Sequence, residues 1–321
     1  MRILTPLRHG AVALLFIALL LLAPLASAQW TATVGGENKS MGRQALAFLP
    51  NEIWIHAGDN VTWTLNTDEP HTITFLTPKQ IRPSFAVGCP GFSGNPATYD
   101  GTTCVTSNVL SNGQGLTVTF PTAGNFRVAC LLHENMEGVV HVLDASQPLP
   151  HDQTFYNNEA TAEKGALLTD DIPKQHHHTR GTVSVGAGEI VSTPAGSQTL
   201  SVMRYISDAM TVHVGDTVEF NADDPITPHT ITFNTPPANI TLPSKNVTVD
   251  ADGALHVILL SPSDSASSGF VQASYQDRQG RAQSLPGTTR FRVTFAGAGT
   301  YQYFCLLHGV IGMTGTVTVV K

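Results

Sequence analysis

The sequence predicts an all-β chain folded as two tandem β-sandwich domains, and three observations predict it. Blocks of residues recur in the same order about 157 positions apart. Apolar and polar residues alternate at period two in both copies, the pattern of half-buried strands. Gly-Asp, Pro and Gly turn signals punctuate these runs at the short spacing of a sandwich.

The repeat is specific. Ile55-His56-Ala57-Gly58-Asp59 returns as Val212-His213-Val214-Gly215-Asp216, and Pro70-His71-Thr72-Ile73-Thr74-Phe75 returns unchanged as Pro228-His229-Thr230-Ile231-Thr232-Phe233. The run from Ala123 to His133 is echoed from Ala298 to His308, each ending in Cys-Leu-Leu-His. The offset is 157 at Gly58, 158 at His71 and 175 at Cys130, so the second copy carries an insertion between its His and its Cys, over roughly 234–290. That stretch is polar and rich in Ser and Gly, and is expected to form long loops plus an extra strand.

In chain order, Arg2 and Arg8 precede an apolar run, Ala11 to Leu22, that closes on Ala26-Ser27-Ala28. This is the pattern of a secretory signal peptide over 1–28. The run is too short and too small-residue-terminated for a membrane anchor. The expected mature chain has 293 residues (321 minus 28), enough for two domains with their own cores. The first domain is expected over 29–145, with Ile53, Ile55, Val61, Trp63, Leu65, Leu116, Val118 and Phe120 as inward strand positions. A linker follows over 146–180, rich in Pro, Asn, Gln and His, in which only a short helix near Glu159 to Leu168 is anticipated. The second domain occupies 181–321, with Phe291, Val293 and Phe295 alternating inward.

Removing residues 1–28 removes two arginines and no acid, leaving 15 basic against 24 acidic residues, a net charge of −9. Such a balance disfavours nucleic acid and anionic membranes. It either steers a basic partner or keeps an exported protein in solution. Export also separates the cysteines by role. Cys89 and Cys104 share a Gly, Pro, Ser and Thr-rich loop and are expected to form a disulfide. Cys130 and Cys305 end strand-like runs and are left as thiols that metal ligation would explain.

Each of those thiols has companions. His71, Cys130, His133 and Met136 form one group; His229, Cys305, His308 and Met313 form the other. Two imidazoles and a thiolate with a weak axial thioether make the ligand set of a mononuclear type 1 copper site, two coppers per chain. Thiolate and thioether suit Cu(I) and imidazole suits both oxidation states. Ordinary core cysteines would not require these four residue types together, twice, and zinc accepts Cys and His but not Met. Glu134, beside His133, could also approach the first metal. His56, His213 and His141 fall at strand positions with no ligand partners and read as surface residues; the run His176 to His178 reads as a solvated stretch.

On these residues both halves resemble the plastocyanin, pseudoazurin and amicyanin group of cupredoxins. The second loop, with Met313 five residues after His308, matches the plastocyanin and pseudoazurin spacing; the first, with Met136 three after His133, is similar to the shorter amicyanin loop. The resemblance implies Greek-key sandwiches and a periplasmic or extracellular electron carrier whose redox partner is a protein such as a cytochrome or a copper oxidoreductase. Leu306, Leu307, Val310 and Ile311 would then form an apolar docking patch around the outer ligand. The family's two-domain enzymes, nitrite reductases and small laccases, place a His beside the type 1 Cys. Here the neighbours are Ala129, Leu131, Phe304 and Leu306, so no catalytic site is expected. Copper storage or delivery is the third reading. One departure from the group is Thr72 or Thr230 after the first His, where several members have Asn.

Overall fold

The computed structural model describes residues 27–83, 89, 94–170, 181–273 and 288–321. The leader expected over 1–28 lies outside these residues up to position 26, and so does the run His176 to His178. No helix among the described residues is long and apolar enough to cross a membrane.

The period-two alternation becomes strands whose inward positions are closed to solvent. Glu52–His56 and Gly115–Thr119 bury every second residue, and Arg290–Phe295 does the same in the second copy. The first core gathers Trp63, Phe75, Tyr99 and Phe120 around Cys130 and Met136. The second gathers Phe220, Phe233, Phe295 and Tyr303 around Cys305 and Met313. Each core lies under its own five-stranded sheet, and the two sheets have the same topology. In the first the order is Glu52–His56, Glu137–Leu143, Gly124–Ala129, Thr74–Phe75, Val105–Thr106; in the second it is Ala209–His213, Thr314–Val320, Gly299–Phe304, Thr232–Phe233, Ala266–Ser267. The fold is therefore all-β, two β-sandwich units in tandem.

The opposite layers of the two sandwiches are one continuous eleven-stranded sheet. Its seam is the antiparallel pairing of Arg43–Leu49 with Gly196–Ile206, in the register Thr199 to Leu46 through Val202 to Arg43. Two strands that would be exposed edges thus close each other. Every residue of Arg43–Leu49 is buried, because one face looks into the first core and the other into a third, smaller cluster that includes Ala45, Ala47, Leu49, Leu167, Leu200 and Val202.

Leu167 in that cluster belongs to a helix, Gln153–Thr169, which is longer than the short one anticipated near Glu159 to Leu168. Asp152 caps it by accepting from the Phe155 amide at 2.9 Å. Only Tyr156 and Leu167 are fully buried along its length, so its sequence carries almost no apolar stripe to read. The helix packs over the seam, and Glu163 accepts hydrogen bonds from the Asn51 amide of the first repeat and from Gln198 Nε2 of the second, both at 2.9 Å.

The insertion in the second copy, where an extra strand was expected within 234–290, contains a hairpin, Thr248–Val249 with Leu255–Leu259, which the structure places on the outer edge of the long sheet. Cys89 and Cys104 are bonded to each other, with Cα atoms 5.9 Å apart.

Candidate metal centres

The strand that carries each thiol ends at it. Gly124–Ala129 delivers Cys130 and Gly299–Phe304 delivers Cys305, and the Cys amide then closes the ligand loop by donating to the carbonyl of Met136 or Met313, each at 3.0 Å. Both methionines are fully buried in the same apolar clusters as the thiols. His71 and His229 come from the neighbouring part of the same sheet, just before the short strands Thr74–Phe75 and Thr232–Phe233, which pair antiparallel with the strands that carry the thiols.

These elements bring three donor atoms together in each unit. In the first, Cys130 Sγ lies 3.8 Å from His71 Nδ1 and 3.7 Å from His133 Nδ1, and the two Nδ1 atoms are 3.1 Å apart. In the second, Cys305 Sγ lies 4.0 Å from His229 Nδ1 and 3.4 Å from His308 Nδ1, with the nitrogens 3.0 Å apart. A central ion bonded at about 2.0 Å to nitrogen and about 2.3 Å to sulfur would place such atoms about 3.5 to 3.7 Å apart, so the triangles have the size a metal needs. All six side chains are buried, and each imidazole aims the same nitrogen inward. The donor set fits copper.

Electrostatics already favour the ligand state of the thiols. Burial pushes each thiol up, but the two flanking imidazoles outweigh it and hold Cys130 and Cys305 well below the ordinary value. Burial likewise lowers the outer imidazoles, yet the thiolate and a buried carboxylate overcome it, raising His133 to about 9 and His308 to about 10. His71 is lowered by burial.

The threonine that follows the first His of each group has a definite task. Its amide points at sulfur, with Thr72 N to Cys130 Sγ and Thr230 N to Cys305 Sγ both 3.4 Å. Its hydroxyl accepts from the amide after the cysteine, Leu131 N at 2.7 Å and Leu306 N at 2.8 Å. Thr72 and Thr230 thereby tie the distant His strand to the Cys loop.

Three partners of the ligands were not legible as such. Arg82 donates from Nε and Nη2 to the Cys130 carbonyl at 3.0 and 2.7 Å, and its Nη1 is 3.7 Å from Glu134, so Glu134 is a buried counter-charge to arginine. Asp224 Oδ2 accepts from His229 Nε2 at 3.2 Å and from the Ser201 hydroxyl, while its Oδ1 takes the Ile226 and Thr227 amides. His71 Nε2, the matching atom of the first unit, has no partner among the described residues. Glu69 is the third: Oε1 lies 3.1 Å from His133 Nε2 and Oε2 lies 3.4 Å from His308 Nε2. Burial pushes this carboxyl up, but the two imidazoles hold it well below the carboxylate range. The repeat contained a signal, since Glu69 aligns with Thr227 and Asp224 with Asn66, changes of charge beside otherwise identical ligand strands.

Three other described histidines, His56, His141 and His213, belong to neither group of donors. His141 stacks on Trp54 and bridges Glu52 and Asn125, His56 bonds the Gln147 carbonyl, and His213 is exposed beside Asp216. Of the anticipated docking patch, Leu307 and Ile311 pack on the second core while Val310 is 95% exposed. His308 is turned inward to Glu69.

A family model for copper-binding proteins of the plastocyanin/azurin family matches residues 36–143 and again 191–320. The chain belongs to this family. Both matched segments contain a complete His, Cys, His group, so the protein is a copper protein with two cupredoxin units. Among solved structures it is similar to a reduced proline-to-phenylalanine mutant of amicyanin, at 19% identity over 36% of this chain and 82% of that one, TM-score 0.25. It is also similar to a mutant fern plastocyanin, at 22% identity over 43% and 98%, TM-score 0.23. Comparison with curated proteins gave no match.

Proposed function

We propose that the protein is a secreted or periplasmic electron carrier with one type 1 copper in each cupredoxin unit. Copper, when bound, supplies a one-electron couple, and the polypeptide's part is to hold its ligands still in both oxidation states. The observation that carries the reading is that every donor is buried and held by hydrogen-bonded backbone, on two segments far apart in sequence. His71 and His229 precede one strand of each five-stranded sheet, the thiols end the strand paired with it, and Thr72 and Thr230 lock the two together. Ligands that cannot move leave little to rearrange when charge changes. The buried thioethers Met136 and Met313 would complete each set, leaving no open position for substrate.

An oxidoreductase centre would need further ligands between the units, and the residues flanking each thiol, Ala129, Leu131, Phe304 and Leu306, carry no metal-binding atoms. The net acidity fits a basic redox partner, such as a cytochrome or a copper oxidoreductase. The test is copper counting with visible and EPR spectroscopy on wild type, Cys130→Ser and Cys305→Ser. Two type 1 signals, each lost with its own cysteine, are expected. Turnover of nitrite or a phenol would sink the carrier assignment, and rapid loss of Cu(I) to a chelator would favour delivery.

A further inference from the structure

In each unit the outer histidine turns its Nδ1 toward the thiolate, which leaves Nε2 as the protonated nitrogen that must donate to something. In a buried site an unsatisfied N–H is costly, so its acceptor is part of the centre. For His133 and His308 that acceptor is the same residue. Glu69, only 7% exposed, presents one oxygen to each ring, at 3.1 and 3.4 Å.

We propose that Glu69 is a positioning residue shared by both copper centres, joining the outer imidazole of one to that of the other and making the pair a single coupled unit. This role rests on the carrier reading. Glu69 belongs to the first repeat, and its counterpart Thr227 has no carboxylate, so one asymmetric residue serves two otherwise symmetric sites. Its own loop is anchored, since the Glu69 amide donates to Thr67 Oγ1 at 3.2 Å and Thr67 donates to Gln44 Oε1 at 2.5 Å, beside the seam of the long sheet. The carboxylate therefore has a fixed place rather than a swinging one. Two ligand rings, two hydrogen bonds and one carboxylate form an unbroken path through buried protein. Electron exchange along it oxidises one centre by one electron and reduces the other by one, with no bond made or broken and no proton transferred.

Two variants separate this role from mere packing. Glu69→Gln keeps the shape, but its amide has only one acceptor atom, so one imidazole must lose its partner; Glu69→Leu removes both. In the copper-loaded protein, second-sphere losses of this kind weaken metal binding by about 10- to 100-fold, and we expect Glu69→Leu to lower affinity at both sites, including the one in the other repeat. After pulse reduction, wild type should re-equilibrate between its two centres at a rate independent of protein concentration, and Glu69→Leu should slow this by at least about tenfold. Potentials of both centres should move in Glu69→Leu.

If both type 1 signals persist while affinities, potentials and exchange rate are unchanged in the variants, the bridge is refuted and the carrier reading survives. If wild type shows no type 1 signal, the carrier reading fails. The bridge is then judged on Zn(II)-loaded protein by nitrogen-15 NMR: exchange-protected Nε2–H signals assigned to His133 and His308 that are present in wild type and shifted or lost in Glu69→Leu support it, and signals unaltered by the substitution overturn it.

Discussion

Glu163 offers a quantitative test of how the two units are held together. Its carboxylate, carried by the helix Gln153–Thr169, is half-buried against the seam and accepts from Asn51 N and Gln198 Nε2, and burial is the dominant influence, raising it from 4.5 to about 7. A raised carboxyl binds its proton more tightly in the folded chain than in the unfolded one. Its favourable contribution is therefore complete below about pH 4.5 and is lost as pH rises through about 7. A tenfold change in proton affinity is worth about 1.36 kcal/mol, which gives about 3 kcal/mol before screening by the solvent that reaches this group, and about 1 to 2 kcal/mol after it. Glu163→Gln removes the ionisation but keeps an oxygen that can accept both hydrogen bonds. The variant should match wild type near pH 4.5 and exceed its stability by about 1 to 2 kcal/mol at pH 8. Urea unfolding of the metal-free protein across that range measures the difference without metal linkage. A variant no more stable than wild type at pH 8, or equally stabilised at pH 4.5, would show that the helix anchor does not work through a desolvated carboxylate.

Other perturbations address the centres themselves. Gly186 has φ of +70° and a Cβ there would lie 2.5 Å from His229 Nε2 and 2.8 Å from Asp224 Cβ, so Gly186→Ala should empty the second site while the first keeps its copper, as site-resolved EPR would report. Thr72→Val keeps the side-chain shape but strands the buried Leu131 amide, at a cost of about 1 to 3 kcal/mol visible as a lowered denaturant midpoint. Asp224→Asn replaces the carboxylate that strengthens His229 as a donor; the potential of the second centre should rise and that of the first stay put, read by spectroelectrochemistry.

The candidate donors were legible because chemistry restricts them. A thiol at the end of an alternating strand, with His three residues on and Met beyond, is hard to account for by packing alone, and a second copy makes coincidence harder still. Period two exposed the strands for a related reason, since a sandwich demands one buried face. The helix Gln153–Thr169 is longer than its sequence suggests because its burial depends on Tyr156 and Leu167 alone, contacts made with strands far away in sequence. Glu69 and Asp224 were not legible, because a carboxylate beside a histidine in sequence reads as ordinary loop polarity until both are seen buried.

By itself the sequence determined that there are two cupredoxin units, and it also named the candidate donors that the structure groups in each, since these follow from residue type, spacing and local strand geometry. The tertiary structure alone decided that the units share one sheet, that His133 and His308 face each other, and that one glutamate serves both. The physical reason is that the seam depends on two edge strands, Arg43–Leu49 and Gly196–Ile206, satisfying each other's backbone hydrogen bonds. Nothing in either strand's own pattern says which edge it will choose.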